Sequence, residues 1–254
     1  MNFDSGPYLC VGADPHRDLL LEYRLNHSVN GLRQFGYLFL DALPEEIKIV
    51  KPQVSLYESF GSKGFHELEI LMSELKKMGK YVIADVKRSD IGSSMAGYTQ
   101  AWLSDFAPFF ADAITVSPYL GVDTFKETFE LALKKQKRVF VLVATSNPEA
   151  RTLQAGGLAA KVLKDIGKYD PGSIGVVVGA TVDTAEYGIS EPLSNSELPI
   201  LAPGFGAQGA SLSNASEIFA GSSERLIANV SRSVLSGDPR LLRKRMDEAV
   251  SELA

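Results

Sequence analysis

The chain has 254 residues, 45 % hydrophobic and 22 % charged, with a formal net charge of −5. These are ordinary values for a globular protein, and the length suits one domain of the larger kind spanning 1–254. Without a basic run or an aromatic-basic stripe, nucleic acid is excluded as a main partner, although a locally basic pocket could still hold a phosphate.

No stretch approaches the roughly 18 apolar residues of a membrane span, and Met1-Asn2-Phe3-Asp4-Ser5 lacks the basic region that opens a secretory signal. A cytoplasmic protein with no membrane contact is expected. Cys10 is the only cysteine, so it forms no internal disulfide and belongs to no zinc motif; a small buried thiol on a strand is the expectation.

Apolar runs of strand length alternate with segments of helical period along the whole chain. Residues 8–14 form the first run, with a helix over 29–42; 47–53 the second, with a helix over 65–78. Residues 81–91 form the third, with a helix over 93–107; 113–117 the fourth, with a helix near 124–134. Residues 139–144 come fifth, with a helix around 158–166, and 174–179 sixth, followed by a weaker helix and a polar loop over 189–197. Residues 199–202 are the seventh, with a helix over 210–220; 225–231 are the eighth, and a charged amphipathic helix over 240–252 closes the chain.

Eight short hydrophobic strands, each followed by a helix, indicate parallel pairing, and eight units in about 250 residues is the size of an α/β (β/α)8 TIM barrel. An open doubly wound sheet is the alternative. The barrel is favoured because polar residues gather where the strands end: Asp14, Lys51, Asp85 with Lys87, Ser146, 204–208 and Arg232. In a barrel all those ends open onto one face.

Within Tyr81-Val82-Ile83-Ala84-Asp85-Val86-Lys87-Arg88-Ser89-Asp90-Ile91, the strand period of two places Tyr81, Ile83, Asp85 and Lys87 on one face. Asp90 follows three residues later, so three charges of alternating sign are expected to converge at one strand end. Burying charge costs several kcal/mol per ion even when paired. The cluster therefore points to catalysis, with a structural ion pair as the bland alternative.

The phosphate signal comes late in the chain. Ala202-Pro203-Gly204-Phe205-Gly206-Ala207-Gln208-Gly209 follows the seventh strand, and its glycines let backbone N–H groups approach an anion. Arg232 ends the eighth strand beside that loop, with a guanidinium suited to bidentate phosphate contacts. Barrels frequently bind phosphate with the loops after these two strands.

Taken together, 11–15 (VGADP), 49–52 (IVKP), 85–91 (DVKRSDI), 145–148 (TSNP) and 203–209 (PGFGAQG) with Arg232 resemble the orotidine 5′-phosphate decarboxylase family. The D-x-K-x-x-D core is shared with related phosphosugar enzymes, whereas the full ordered set is far more specific. The resemblance implies conversion of orotidine 5′-phosphate to uridine 5′-phosphate and CO2, with no cofactor, by a homodimer with shared active sites and a small nucleotide as its substrate partner. It implies that Lys87 protonates C6, that Asp85 sits beside the substrate carboxylate, and that Lys51 and Asp14 hold ribose hydroxyls. It further implies that Asp90 and Ile91 reach the neighbouring subunit's site, that Ser146 contacts the pyrimidine, and that Gln208 and Arg232 contact the phosphate. Pro203 and Gly209 belong to the matched phosphate loop, and Ser94 stands where the family usually has Thr.

Elementary electrostatics agrees, since a lysine between two carboxylates has its charged form favoured. Such a lysine is a proton donor and a poor Schiff-base nucleophile. His16, His27 and His66 have no metal-ligand spacing and are expected at the surface or at helix caps, while Trp102, Phe106, Phe109 and Phe110 are expected in packing or in the dimer contact. Two rival functions stay open at this level. One is a magnesium-dependent phosphosugar decarboxylase or aldolase on the same strand motif; the other is a degenerate barrel that senses a nucleotide.

Overall fold

Parallel strands cannot be joined by tight hairpins, so each apolar run pairs with its neighbour through an intervening helical crossover. The computed structural model describes residues 1–253. Its strands are β1 (Tyr8–Gly12), β2 (Ile49–Lys51), β3 (Tyr81–Arg88), β4 (Ala113–Val116), β5 (Arg138–Ala144), β6 (Ile174–Val178), β7 (Ile200–Pro203) and β8 (Leu226–Val230). They close in sequence order into a parallel barrel, with β8 pairing back onto β1 through Tyr8↔Ile227 to Val11↔Val230. The open sheet is thereby excluded.

Strand parity divides the core in two. Cys10, Ile49, Ile83, Ala113, Phe140, Val177, Leu201 and Ile227 fill the barrel interior. Their alternate neighbours, among them Val11, Val50, Val82, Ala84 and Ile114, pack outward against the helices. Phe3, ahead of β1, joins the inner cluster, with its ring edge-on to Tyr8 and Tyr81 at the strand starts. The barrel is thus filled below and open only at the strand ends.

The main helices fall close to the expected places: Val29–Ala42, Gly61–Lys77, Gly92–Leu103, Lys126–Lys134, Ala159–Ile166 and Leu242–Leu253. The expected helix over 210–220 shrinks to a 3-10 turn, Leu212–Asn214, and one α turn, Ala215–Ile218. Ser211, Ser213 and Asn214 bond one another or Glu252 there, and such short polar side chains compete with helical backbone bonding. Arg17–Glu22 and Val54–Glu58 are too short to show a period in the sequence. Trp102 is buried and stacked on Phe109 at 4.2 Å, as packing requires. Phe106, by contrast, is 96 % exposed, so it takes no part in that packing. Among the described residues no helix is long and apolar enough to cross a membrane.

Candidate active site

The ends of the barrel strands surround a cavity of about 660 Å³. Asp14, Lys51, Asp85, Lys87, Ser146, Pro203, Gln208 and Arg232, eight of the residues singled out in the sequence, line it. The centre is a chain of charges: Lys51 Nζ donates to Asp85 Oδ2 at 2.9 Å, and Lys87 Nζ donates to Asp85 Oδ1 at 2.6 Å. Lys51 and Asp85 are buried, while Lys87 reaches into the open cavity.

Asp14 is held from two sides, accepting from the Gln53 backbone N–H at 3.0 Å and from Ser231 Oγ at 2.6 Å. Gly12 makes room for this arrangement, because a Cβ there would lie 2.5 Å from Asp14 Oδ2 and 2.8 Å from Ser231 Cβ.

The electrostatics follow from that packing. Burial by itself would push the Asp85 carboxyl up, but the ammonium groups of Lys51 and Lys87 and their hydrogen bonds outweigh it and hold it well below the usual range. Burial likewise opposes the charge on Lys51, and the carboxylates of Asp85 and Asp14 overcome it and raise its pKa. Deeper in the barrel, burial pushes the Cys10 thiol up to about 12. Cys10 is therefore a protonated, inert donor to Asn229 Oδ1 at 3.4 Å, as expected of a buried strand thiol.

Lys87 is not on a regular strand residue. Its φ is 45°, in the left-handed region that costs a non-glycine residue about 1–2 kcal/mol. The β3–β4 register slips at the same place, and irregularities of this kind re-aim side chains next to active sites.

Across the mouth lies the glycine-rich loop. Gly204, Gly206 and Gly209 all have positive φ, and the loop closes on itself through Gly206 N–H to Ala210 O at 2.7 Å and Gly209 N–H to Gly206 O at 2.9 Å. Gly209 makes the turn and does not line the cavity. Gln208 Oε1 accepts from Ser146 Oγ at 3.3 Å, linking this loop to the one after β5.

Asp90, Ile91 and Ser94 do not line the cavity of their own chain. The expected convergence of three charges from β3 alone is thus corrected. The third charge at the centre is Lys51 from β2, and the Asp90 carboxylate instead accepts from the Ile91 N–H at 2.9 Å. The strand ends at Arg88, and 89–91 lead away from it to Gly92, φ 52°, where the helix Gly92–Leu103 begins, leaving Ile91 61 % exposed.

Sequence reasoning missed Gln53, Thr115, Asn229 and Ser231, which also line the cavity. Thr115 and Asn229 sit two residues after the inward-facing Ala113 and Ile227, so strand parity could have found them. His16 also lines the cavity, whereas His27 packs on Phe60 at 4.8 Å and His66 is exposed.

A closed (β/α)8 barrel with buried charge and an anion-suited loop at the carboxyl ends of its strands has the site of a barrel enzyme. The Orotidine 5′-phosphate decarboxylase / HUMPS family model matches residues 7–241. The orotidine 5′-phosphate decarboxylase of Corynebacterium glutamicum (strain R) is 44 % identical over 247 residues, covering 91 % of this chain and 86 % of the relative. A crystal structure from Streptomyces avermitilis has 40 % identity and a TM-score of 0.88, covering 98 % of this chain and 90 % of the other. Leishmania donovani OMP decarboxylase has 28 % identity and a TM-score of 0.72, covering 96 % and 93 %. The chain belongs to the orotidine 5′-phosphate decarboxylase / HUMPS family and is a lyase, a decarboxylase of pyrimidine biosynthesis.

Proposed function

We propose that this chain converts orotidine 5′-phosphate to uridine 5′-phosphate and CO2, with Lys87 as the proton donor. The C6–carboxylate bond breaks, its electron pair stays on C6, and a proton from Lys87 Nζ forms the new C6–H bond. The amine then regains a proton from water. The observation that carries this reading is the alternation Lys51–Asp85–Lys87, in which an ammonium group is held 2.6 Å from a buried carboxylate at the cavity wall.

Magnitudes apportion the roles. At about 4 Å, Asp85 and a substrate carboxylate would repel by roughly 4 kcal/mol at an effective dielectric near 20. At about 1.4 kcal/mol per decade this accounts for some three decades of rate. The larger share falls to the fixed ammonium of Lys87, which stabilises negative charge developing at C6, and to remote phosphate binding used in the transition state.

In this reading Asp14 and Lys51 hold ribose hydroxyls, Ser146 meets the pyrimidine, and Gln208 and Arg232 hold the phosphate over the backbone N–H groups of the loop Pro203 to Gly209. Asp90 and Ile91, which do not line their own cavity, serve the neighbouring subunit's site in a cytoplasmic homodimer, and Ser94 follows them in the first turn of the helix Gly92–Leu103. No metal or organic cofactor enters the scheme. The magnesium alternative is disfavoured by the donor set, because the oxygens of Asp85 are engaged by two ammonium groups and the Thr115 hydroxyl.

An absorbance assay with orotidine 5′-phosphate, with and without a chelator, tests the reading. Turnover that survives chelation is expected. Chelator-sensitive turnover would favour the magnesium chemistry, and tight nucleotide binding without turnover would favour the sensor.

A further inference from the structure

Strands β3 and β4 pair regularly through Ile83↔Ala113 and Ala84↔Ile114, and the next pair is Arg88↔Val116. Asp85, Val86 and Lys87 of one strand are thus spanned by the single residue Thr115 of the other. In this irregular stretch the Lys87 backbone N–H donates to Thr115 Oγ1 at 2.9 Å rather than to a carbonyl of the ladder. Thr115 Oγ1 in turn donates to Asp85 Oδ1 at 2.8 Å.

The direction of both bonds is fixed by chemistry. A backbone N–H can only donate, and an ionised carboxylate can only accept. The hydroxyl must therefore accept from Lys87 and give its hydrogen to Asp85. One buried oxygen thus ties the carboxylate to the left-handed backbone of the lysine two residues on, while Lys87 Nζ closes the ring on the same Oδ1. An apolar β-branched residue would fill a buried strand position equally well; the hydroxyl is needed only by these two partners.

We propose that Thr115 is a positioning residue for the decarboxylation, holding Asp85 and Lys87 in mutual register through its side-chain hydroxyl. This rests on the reading in which Lys87 delivers the proton. Thr115 acts through those two groups, and substrate affinity is supplied mainly by the phosphate loop and Arg232. Losing the hydroxyl thus lowers kcat and leaves binding nearly intact.

The test compares Thr115→Val, which keeps shape and removes the hydroxyl, with Thr115→Ser, which keeps the hydroxyl. Steady-state kinetics with orotidine 5′-phosphate and calorimetric affinity for uridine 5′-phosphate are both read. Misaligned catalytic groups cost on the order of 10- to 100-fold in rate, so Thr115→Val should lose that much kcat with affinity for uridine 5′-phosphate within about twofold of wild type, and Thr115→Ser should retain kcat. Unchanged kcat in Thr115→Val, an equal fall in affinity, or a serine variant as slow as the valine variant would each overturn the proposal. If Thr115→Val does not fold, Thr115→Cys replaces it, since a thiol is a weaker hydrogen-bonding group of similar shape; it should fall between serine and the expected valine value, and wild-type kcat in it counts against the role. Wild-type protein inert toward orotidine 5′-phosphate would sink the proposed function itself, a result distinct from all of these.

Discussion

Lys51 and Asp85, on adjacent strands, form a 2.9 Å ion pair with only 6 % and 8 % of their side chains exposed. Removing one partner of such a pair leaves the other charge buried and uncompensated, at a cost of about 3–5 kcal/mol. Lys87 bonds the same carboxylate from a half-exposed position, so its removal costs far less stability. Lys51→Met is therefore expected to lose about 3–5 kcal/mol in urea unfolding, and Lys87→Met no more than about 1 kcal/mol. Equal losses in the two variants would show that the central pair is not the buried charge on which the mouth depends.

Acid should weaken the fold through Asp85. Burial raises its pKa, but Lys51 and Lys87 more than offset this, so its folded-state value lies below the ordinary 3.8. Below about pH 4 the unfolded chain takes up a proton at this site that the folded chain does not, and stability is lost as pH falls toward the folded value. Asp85→Asn has no such dependence. It should be the less stable protein at pH 7, and the gap in Tm should narrow below about pH 4; a gap constant with pH would contradict the depressed carboxyl.

Catalysis and binding should separate cleanly between two cations. Lys87→Ala is expected to abolish turnover of orotidine 5′-phosphate while circular dichroism and affinity for uridine 5′-phosphate persist. Arg232 lines the far side of the cavity and is exposed. A charged hydrogen bond of about 1.5–3 kcal/mol there corresponds to roughly 10- to 100-fold in KM. Arg232→Ala should show that rise, and an unchanged KM and kcat/KM would remove it from the phosphate site.

The barrel was legible because eight apolar runs of strand length repeat along the chain, and burial on both faces of a parallel strand demands such runs. Asp14, Lys51, Asp85 and Arg232 were legible as polar interruptions where those runs stop. Three things were not. The slip opposite Thr115 depends on how two strands align, which the sequence of neither strand reveals, and it decides where Lys87 points. The exclusion of Asp90 from its own cavity depends on the path the chain takes after β3 ends at Arg88, which parity counting from β3 cannot anticipate. Ser231 was hidden for a simpler reason: a short polar residue just past a strand end is common in loops, and only barrel closure of β8 against β1 brings it to Asp14.

The closed end of the barrel should matter for stability and not for chemistry. Phe3 is 5 % exposed, edge-on to Tyr8 at 5.5 Å and Tyr81 at 5.4 Å, with the guanidinium of Arg138 5.4 Å from its ring centre. Those partners lie at the starts of β1, β3 and β5, so one ring bridges three strands at the end opposite the charged mouth. Replacing a buried phenylalanine by alanine costs about 3–5 kcal/mol when the site cannot collapse. A segment ahead of the first strand can relax more than a strand interior, which places Phe3→Ala near the lower figure. Urea unfolding should show that loss, while KM and kcat for orotidine 5′-phosphate remain at wild-type values. A change in either kinetic constant would mean that the packing of the barrel floor reaches the Lys51–Asp85 pair through the inner core.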